Sequence, residues 1–183
     1  LNKRLDRAKN AIKIPLSVNN CKSCNHFQLG ISINPQILYA NNYTYLSGIG
    51  STFIKHFESY SDWIVNKIKF KNNDYILDIG SNDGTCLNSF KKKGLRTLGI
   101  DPARLPSIVA RKKGINTINK FFNQNSKEFI KKKFGKPYFI TSHNVLAHIE
   151  DIQSTFKSIF DLLEDDGYFC FEVGYFKNVI ENN

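Results

Sequence analysis

The sequence predicts an α/β fold in which a mostly parallel sheet is flanked by helices and preceded by a small segment with a Cys-x-x-Cys pair. Three observations support this fold class. From residue 74 onward, short apolar stretches alternate regularly with helical patterns, as is typical of a parallel sheet covered on both faces. The first of these strands runs into a glycine turn, Gly80 to Gly84, that opens a helix. The second strand ends in an acidic residue, Asp101.

The region before residue 74 has a different pattern. Its predicted elements are a linker or helical remnant over 1–13, strands over 14–18 and 26–31, a helical turn over 35–40, a loop over 41–50 and a helix over 51–70. Cys21 and Cys24 lie between the two strands. The long helix is predicted because its apolar residues recur at helical spacing and form one buried face. These residues are Phe53, Phe57, Tyr60, Ile64 and Ile68.

The alternating region contains five predicted strands. They lie over 75–79, 96–100, 115–118, 137–141 and 168–173. Pro102 has the fixed φ that suits a first helical turn, and Ser126 and Asp151 are typical N-cap residues. The last helix has a predicted apolar face of Ile152, Phe156, Ile159, Phe160 and Leu163. Ligands of such sheets bind at the carboxyl ends of the strands, so functional residues are expected directly after each strand.

The chain has 183 residues and a formal net charge of +10, contributed mainly by lysine. The lysine triplets 91–93 and 131–133 lie late in predicted helices, where cations oppose the negative helix end and stay solvated. No stripe of arginine and aromatic residues indicates a nucleic-acid surface. No apolar run approaches the roughly 20 residues that a membrane span needs. We therefore expect a cytoplasmic protein that binds neither nucleic acid nor membrane.

The first two strand ends distinguish between two classes of cofactor. Asp101 follows Asp78 by 23 positions, where a carboxylate can hydrogen-bond both ribose hydroxyls of an adenosine. A dinucleotide site needs a G-x-G-x-x-G turn around a pyrophosphate, but Asn82 replaces the middle glycine, and Asp78 and Asp83 would repel phosphate. S-adenosylmethionine carries an ammonium and a sulfonium group, which suit carboxylates. The predicted cofactor contacts here are Asp78, Gly80, Ser81, Asn82, Asp83, Gly84, Asp101 and Pro102. The alternative is a tight turn in which Asp83 caps the helix.

Side chains after the remaining strands complete the predicted site. One of Phe121 and Phe122 can stack on adenine, while the other packs in the core. Asn144, after the fourth strand, can contact the cofactor or the substrate, and His148 can reach either one. Glu172 ends the fifth strand on the same rim.

Three strings in this region, with four shorter matches before it, resemble one known family. The strings are Asp78-Ile79-Gly80-Ser81-Asn82-Asp83-Gly84-Thr85, Leu98-Gly99-Ile100-Asp101-Pro102-Ala103 and Asn144-Val145-Leu146-Ala147-His148-Ile149. The shorter matches are Pro15-Leu16, Cys21-x-x-Cys24, Gln28-Leu29 and Tyr43-x-Tyr45-x-Ser47-Gly48. Together they are similar to the sugar C-methyltransferases, which join a zinc-binding N-terminal domain to a Rossmann-like class I methyltransferase domain. The resemblance runs from about Pro15 to Tyr175.

The resemblance implies an enzyme that acts on nucleotide-linked keto-sugars. A base removes a proton from the carbon beside a keto group, and the enolate attacks the methyl group of S-adenosylmethionine. Tyr43 or Tyr45 corresponds to the active-site tyrosine of the family's N-terminal domain. With His148 and Glu172, these are the candidate catalytic residues.

The sequence also departs from this family. The family zinc site uses two Cys-x-x-Cys pairs, whereas Cys21 and Cys24 supply half a site. The family's Tyr-His-Glu-His segment and the last two sheet strands have no match. We therefore expect a fragment truncated at both ends. Its expected parts are a partial zinc-binding, zinc-ribbon-like domain with a tyrosine-rich loop over 1–50, a connecting helix over 51–72 and an incomplete S-adenosylmethionine-binding domain over 73–183.

Two other functions stay open. One is methyl transfer to oxygen or nitrogen of another small molecule. The other is a zinc-ribbon module that binds nucleic acid, fused to a degenerate methyltransferase fold. The basic charge favours this module slightly, whereas the half zinc site and the intact cofactor loop disfavour it.

Overall fold

The computed structural model describes residues 13–41, 43–175, 177–178 and 181. The linker predicted over 1–13 therefore falls almost entirely outside the described residues. The chain divides into two units, one up to residue 42 and one from residue 43 onward. Within the described ranges, no helix combines the length and the apolar character needed to cross a membrane.

The first unit contains a β-hairpin followed by a short π-helix. Strand β1 (Val18–Asn20) pairs antiparallel with strand β2 (Phe27–Leu29), and the π-helix is Gln36–Ala40. The turn closes because the Asn25 N–H donates to the Cys21 carbonyl at 2.8 Å. The turn sets which residues of the two strands pair. As a result, β1 begins at Val18, where the strand predicted over 14–18 was expected to end.

The second unit is the predicted alternation of strands and helices. Its strands are β3 (Tyr75–Ile79), β4 (Arg96–Ile100), β5 (Thr117–Ile118), β6 (Phe139–His143) and β7 (Tyr168–Glu172). Its helices are α1 (Ser51–Lys67), α2 (Thr85–Lys91), α3 (Arg104–Lys112), α4 (Gln124–Phe134) and α5 (Ile152–Leu162). Two 3₁₀ turns, Ser47–Ile49 and Leu146–His148, precede α1 and α5.

The strands β3 to β7 form one sheet in the order β5-β4-β3-β6-β7, and all neighbouring strands are parallel. The predicted parallel sheet is confirmed. The chain builds outward from β3 to β5 and then returns to the other side of β3 with β6. The strand order therefore reverses between β3 and β6, and ligands of open α/β sheets bind at the carboxyl ends of the strands beside such a point.

Alternate residues of β3 contribute to two hydrophobic cores, one on each face of the sheet. Ile76 belongs to a cluster with Ile64 of α1 and Phe90 of α2. Leu77 belongs to a second cluster with Ile130 of α4 and with residues of α5. Successive strand side chains point to opposite faces, and all of β3 is buried. The prediction that helices cover both faces is confirmed.

Two of the predicted helix starts are wrong. Asn123, not Ser126, caps α4: the Asn123 side chain accepts the Ser126 N–H at 3.0 Å, and the Asn123 N–H donates to Ser126 Oγ at 2.9 Å. This reciprocal pair satisfies two N–H groups at the helix start, which a cap at Ser126 would leave open. Pro102 precedes α3, which begins at Arg104. Asp151 caps α5 as predicted.

The predicted apolar faces of α1 and α5 are each wrong at their margins. In α1, Phe57 and Ile64 are buried, whereas Phe53 is 38% exposed. In α5, Phe160 is 81% exposed and Leu162 is fully buried. Both patterns are helical in period, but the period alone does not fix which edge of an apolar stripe faces the sheet.

Candidate functional site

The glycine turn between β3 and α2 brings the backbone against the end of β4. The N–H groups of Gly80 and Ser81 approach the Ile100 carbonyl at 2.8 and 3.3 Å. Gly80 has a φ of +75°, a conformation that residues with a side chain rarely adopt. A Cβ at Gly80 would also collide with Cγ2 of Val145. Gly80 therefore allows the turn to lie close to the loop that carries Val145.

Two carboxylates are buried at the ends of β3 and β4. The oxygens of Asp101 accept the Asn82 N–H at 2.8 Å and the Ala103 N–H at 2.7 Å, one on each oxygen. Asp78 Oδ1 and Ser81 Oγ are buried and have no hydrogen-bond partner within the described part of the chain. A buried polar oxygen is costly to leave unpaired, so these two atoms are suited to receive a polar ligand.

The same two carboxyl groups have raised pKa values. Burial raises the pKa of Asp78, and the negative charge of Asp101 raises it further. Burial also raises the pKa of Asp101, against the two backbone N–H groups that stabilise its charged form. A cation or a pair of hydroxyl donors between them would relieve this repulsion, whereas a phosphate would add to it.

Asp83, predicted as a further cofactor contact, is already engaged by protein groups. Its Oδ2 accepts from Lys113 Nζ at 2.8 Å and from the Gly48 N–H at 3.2 Å, and its Oδ1 accepts from Thr85 Oγ1 at 2.6 Å. Burial acts to raise the pKa of Asp83, yet these donors hold it below its ordinary value. Thr85 is the first residue of α2, so the geometry favours the alternative in which Asp83 fixes the helix start.

The tyrosine-rich segment lies against the glycine turn, and Asn82 holds it there. Asn82 has a φ of +49°. Its Oδ1 accepts the Ser47 N–H at 3.0 Å, and its Nδ2 donates to the Tyr45 carbonyl at 3.1 Å. The rings of Tyr43 and Tyr45 meet edge to face, with centroids 6.4 Å apart. The structure thus brings both candidate tyrosines close to the predicted cofactor turn.

Phe121 and Phe122 follow β5 and differ in their surroundings. Phe122 packs against the core beneath α4 and α5. Phe121 is half-buried, which leaves it available for a stacking contact. Pro102, beside Asp101, is also half-buried, and its carbonyl accepts from Asn119 Nδ2 at 2.8 Å.

A second polar cluster lies where β6 and β7 end. Glu172 Oε2 is 2.7 Å from His56 Nε2 and 3.8 Å from His143 Nδ1. Asn144 donates its Nδ2 to Glu172 Oε1 at 3.2 Å and its backbone N–H to the Glu172 carbonyl at 2.7 Å. Asn144 and Glu172, both predicted site residues, are therefore in direct contact. His148 lies exposed on the 3₁₀ turn that follows.

His143 is the buried member of this cluster. Its Nε2 lies 2.9 Å from Thr141 Oγ1, which in turn lies 2.8 Å from the Tyr60 hydroxyl. The Tyr60 and Phe57 rings meet the imidazole edge to face, at centroid distances of 4.7 and 5.1 Å. Burial lowers the pKa of His143 to about 4, although the nearby Glu172 charge opposes this. The imidazole is therefore neutral at neutral pH.

His56 and His143 are absent from the predicted site. His143 carries a usable signal, because it is the last residue of β6 and so lies at the edge where ligands bind. His56 lies within α1 and is separated from Glu172 by 116 positions. Helical spacing assigns it no role, and its neighbours are fixed only by the way α1 packs on the sheet.

In the first unit, Cys21 and Cys24 are exposed free thiols on the hairpin turn. Backbone N–H groups of Cys24 and Ser23 donate to the Cys21 sulfur and lower the pKa of that thiol. This favours the thiolate, which is the form that binds zinc. A closed structural site takes four ligands. Within the described ranges no third His, Cys, Asp or Glu joins this pair, so these residues do not complete such a site.

Comparison with known proteins decides the family. Residues 54–178 match the family described as a methyltransferase domain. The chain belongs to this methyltransferase-domain family. It is also 32% identical over 178 residues to the C-methyltransferase NovU of Streptomyces niveus. The aligned region covers 97% of this chain and 42% of that protein.

Solved structures share the fold of the methyltransferase domain. The plantazolicin methyltransferase BpumL, solved with a desmethyl plantazolicin analogue and SAH, matches with a TM-score of 0.54 and 20% identity over 71% of this chain and 49% of that one. An S-adenosylmethionine-dependent methyltransferase from Clostridium acetobutylicum matches with a TM-score of 0.55 and 20% identity over 69% of this chain and 54% of that one. The predicted Rossmann-like methyltransferase fold is confirmed. The chain spans about half the length of these relatives, or less.

Proposed function

We propose that this chain forms the S-adenosylmethionine-binding part of an enzyme that methylates a carbon atom of a nucleotide-linked keto-sugar. One observation carries the cofactor assignment. Asp78 and Asp101 are buried side by side at the ends of two parallel strands, next to a glycine turn, and Asp78 Oδ1 has no partner within the described residues. The choice of carbon as acceptor is supported by the similarity to a C-methyltransferase across nearly the whole chain.

The geometry of the turn and of the neighbouring strand ends supports the proposed cofactor contacts. Each Asp101 oxygen accepts one backbone N–H and retains a lone pair for a ribose hydroxyl. Asp78 and Ser81 offer unpaired oxygens to the amino-acid end of the cofactor. Phe121 stacks on the adenine. Asn82, Asp83, Gly84 and Pro102 shape the turn around these contacts. S-adenosylmethionine supplies, when bound, a methyl group on a positively charged sulfur.

The proposed chemistry needs a proton acceptor and an oxyanion partner. His148 accepts the proton from the carbon beside the keto group, and the hydroxyl of Tyr43 or Tyr45 together with the Asn144 amide donates hydrogen bonds to the enolate oxygen. S-adenosylmethionine, held by Asp78, Ser81 and Asp101, would supply the methyl group that the enolate carbon accepts. Glu172 fixes the Asn144 amide, since the two are 3.2 Å apart.

We also propose that the chain divides into three functional parts. Residues 1–50 would contribute half of a zinc-binding domain, with Cys21 and Cys24 as two of four ligands and a structural role for the ion. Residues 51–72 would connect it to the cofactor domain over 73–183. A zinc ion on the hairpin turn would hold a β1–β2 pair whose strand residues are all exposed.

Calorimetric titration of S-adenosylmethionine into the full chain, with NAD as the comparison ligand, tests the cofactor assignment. We expect the chain to bind S-adenosylmethionine and not NAD. Asp101→Asn should weaken it at least about tenfold, because a carboxylate hydrogen-bonds more strongly than an amide. Phe121→Ala should weaken it about five- to tenfold through lost stacking, whereas Phe122→Ala should lower stability instead. Asp165→Asn is the matched control, since that side chain is 97% exposed.

Two outcomes would refute the proposal at different points. If the folded chain fails to bind S-adenosylmethionine, or if Asp101→Asn and Phe121→Ala both bind it normally, the cofactor assignment is wrong. If the chain binds the cofactor, its product with a nucleotide-linked keto-sugar can be examined by NMR. A transferred methyl group on oxygen or nitrogen rather than carbon would refute the acceptor assignment alone.

A further inference from the structure

We propose that His56, His143 and Glu172 form a binding site for one divalent transition-metal ion of the zinc type. The three side chains come from α1, β6 and β7, and one ligand atom of each lies within 4.8 Å of the others. Within the described residues, this is the one group of three or more such side chains at that separation. The site shares Glu172 with the proposed active site, where that residue orients Asn144, but no part of the proposed function assigns a metal there.

The spacing of the ligand atoms suits a metal ion. Two ligands on a tetrahedral ion with bonds of about 2.1 Å lie about 3.4 Å apart. Glu172 Oε2 is 2.7 Å from His56 Nε2 and 3.8 Å from His143 Nδ1, so the observed separations lie on either side of that value. The ligand atoms of His56 and His143 lie within 4.8 Å of each other, so an ion among the three would draw this last pair together.

The buried and unpaired Nδ1 of His143 supports a metal site independently of the ligand spacing. Its side chain is only 7% exposed, and its Nδ1 has no hydrogen-bond partner within the described chain. The 3.8 Å distance from Nδ1 to Glu172 is too long for a hydrogen bond. A buried imidazole nitrogen that lies 3.8 Å from a carboxylate oxygen without a hydrogen bond to it has the position of a metal ligand.

Neighbouring side chains orient the buried His143 and the partly exposed Glu172 for metal binding. Thr141 Oγ1, which is also hydrogen-bonded to Tyr60, lies 2.9 Å from His143 Nε2. In the tautomer that carries its proton on Nε2, His143 donates to Thr141 and keeps the lone pair on Nδ1 for the ion. Cys86 Sγ lies 3.7 Å from the same Nε2. Asn144 donates to Glu172 Oε1, which leaves Oε2 for the ion. Ligands oriented by such outer partners are typical of metal sites.

The ligand set indicates the class of ion. Two imidazole nitrogens and one carboxylate oxygen suit zinc and its first-row neighbours, whereas magnesium and calcium prefer oxygen ligands alone. Three protein ligands leave at least one coordination position open. His56 and Glu172 are 43% and 40% exposed, so this open side is accessible to solvent.

Titration of Zn²⁺ followed by calorimetry, and of Co²⁺ followed by its visible absorption, tests the site on tag-free full chain. Cys21→Ser and Cys24→Ser are built into every protein, so that the thiol pair contributes no binding. We expect one equivalent of either ion to bind. His56→Ala and Glu172→Gln should each lower the affinity at least about tenfold, and Thr141→Val should lower it about 10- to 100-fold by freeing His143 Nε2.

His26→Ala is the matched control, because it removes an exposed histidine outside the site and should leave the affinity unchanged. His56 and Glu172 are partly exposed, so their variants are expected to stay folded, which circular dichroism checks. The proposal is overturned if the folded chain binds no stoichiometric Zn²⁺, or if binding survives either His56→Ala or Glu172→Gln. Neither outcome depends on S-adenosylmethionine, so failure here leaves the proposed function untouched.

Discussion

Asn82 ties Tyr45 to the glycine turn, because its Nδ2 donates to the Tyr45 carbonyl at 3.1 Å. The same side chain accepts the Ser47 N–H at 3.0 Å, and its backbone N–H donates to Asp101 at 2.8 Å. One residue thus connects the segment of a candidate catalytic tyrosine to the proposed ribose-binding carboxylate. A glycine at this position, as in a dinucleotide turn, would lack the side chain that makes the first two contacts.

We expect Asn82→Gly to release the tyrosine segment. Glycine keeps the positive φ, so the loss reflects the three hydrogen bonds of the Asn82 side chain, to Ser47, Tyr45 and Asp83, and should lower the free energy of unfolding by about 1–3 kcal/mol. Urea unfolding measures this change, and hydrogen exchange should show faster exchange of the Ser47 amide. Asn25→Gly is the control, because Asn25 also has a positive φ, of 56°, but lies in the hairpin. Unchanged Ser47 exchange in Asn82→Gly would show that Asn82 does not hold the segment.

The strands at the centre of the sheet could be predicted from sequence, whereas their polar ends could not. The bounds predicted for β3 and β4 match the structure, because buried parallel strands are near-continuous apolar runs. The fourth predicted strand ended at Thr141, but β6 continues to His143. Ser142 is fully buried and donates to the Ile79 carbonyl at 3.0 Å, a contact across strands that local polarity does not reveal.

The candidate site divides in the same way. Asp78 and Asp101 could be placed because each ends a strand beside a glycine turn, and parallel strands bring such ends to one edge. The engagement of Asp83 by Lys113 could not, because the lysine lies 30 positions away at the end of α3. Tertiary packing, rather than any local pattern, decides which carboxylates stay open to a ligand.

Gly80→Ala should destabilise the methyltransferase domain more than Gly94→Ala. Both glycines have a positive φ, so each substitution carries about 1–2 kcal/mol of backbone strain. A Cβ at Gly94 meets no atom within 4 Å, whereas one at Gly80 collides with Val145. We expect this collision to add about 1–3 kcal/mol, measured by urea unfolding. Adding Val145→Ala to Gly80→Ala should remove the extra loss, and its persistence would contradict the collision.

Truncating a side chain on the buried side of α5 should cost far more stability than truncating one on its exposed side. Leu162 is fully buried against the sheet, so Leu162→Ala should cost about 3–5 kcal/mol of unfolding free energy. Phe160 is 81% exposed, so Phe160→Ala should change it by no more than about 0.5 kcal/mol. Thermal and urea unfolding of the two variants compares them directly. A loss for Phe160→Ala as large as that for Leu162→Ala would mean that Phe160 also packs in the core, as its sequence pattern predicted.

The Asp83–Lys113 ion pair should make stability depend on pH in the acid range. Burial acts to raise the pKa of Asp83, but Lys113, Thr85 and Gly48 hold it below the ordinary value of about 4. The folded chain therefore binds fewer protons here than the unfolded chain. The stabilising contribution is complete above about pH 4 and is lost as the pH falls through the folded pKa.

Lys113→Met tests this dependence, because it leaves Asp83 buried without its cation. We expect the free energy of unfolding at neutral pH to fall by about 1–3 kcal/mol, less than for a fully buried pair, since the Lys113 side chain is 37% exposed. Removing Lys113 should raise the pKa of the buried Asp83, so the difference from the parent chain should shrink with falling pH and be lost once the pH passes below the folded pKa of Asp83 in the parent. Lys112→Met, one residue away on the exposed surface, should change stability by less than about 0.5 kcal/mol at any pH. Urea unfolding across the acid range measures the free energy of unfolding of both variants. If the loss in Lys113→Met relative to the parent chain stays constant with pH, the lysine does not act by stabilising the carboxylate charge.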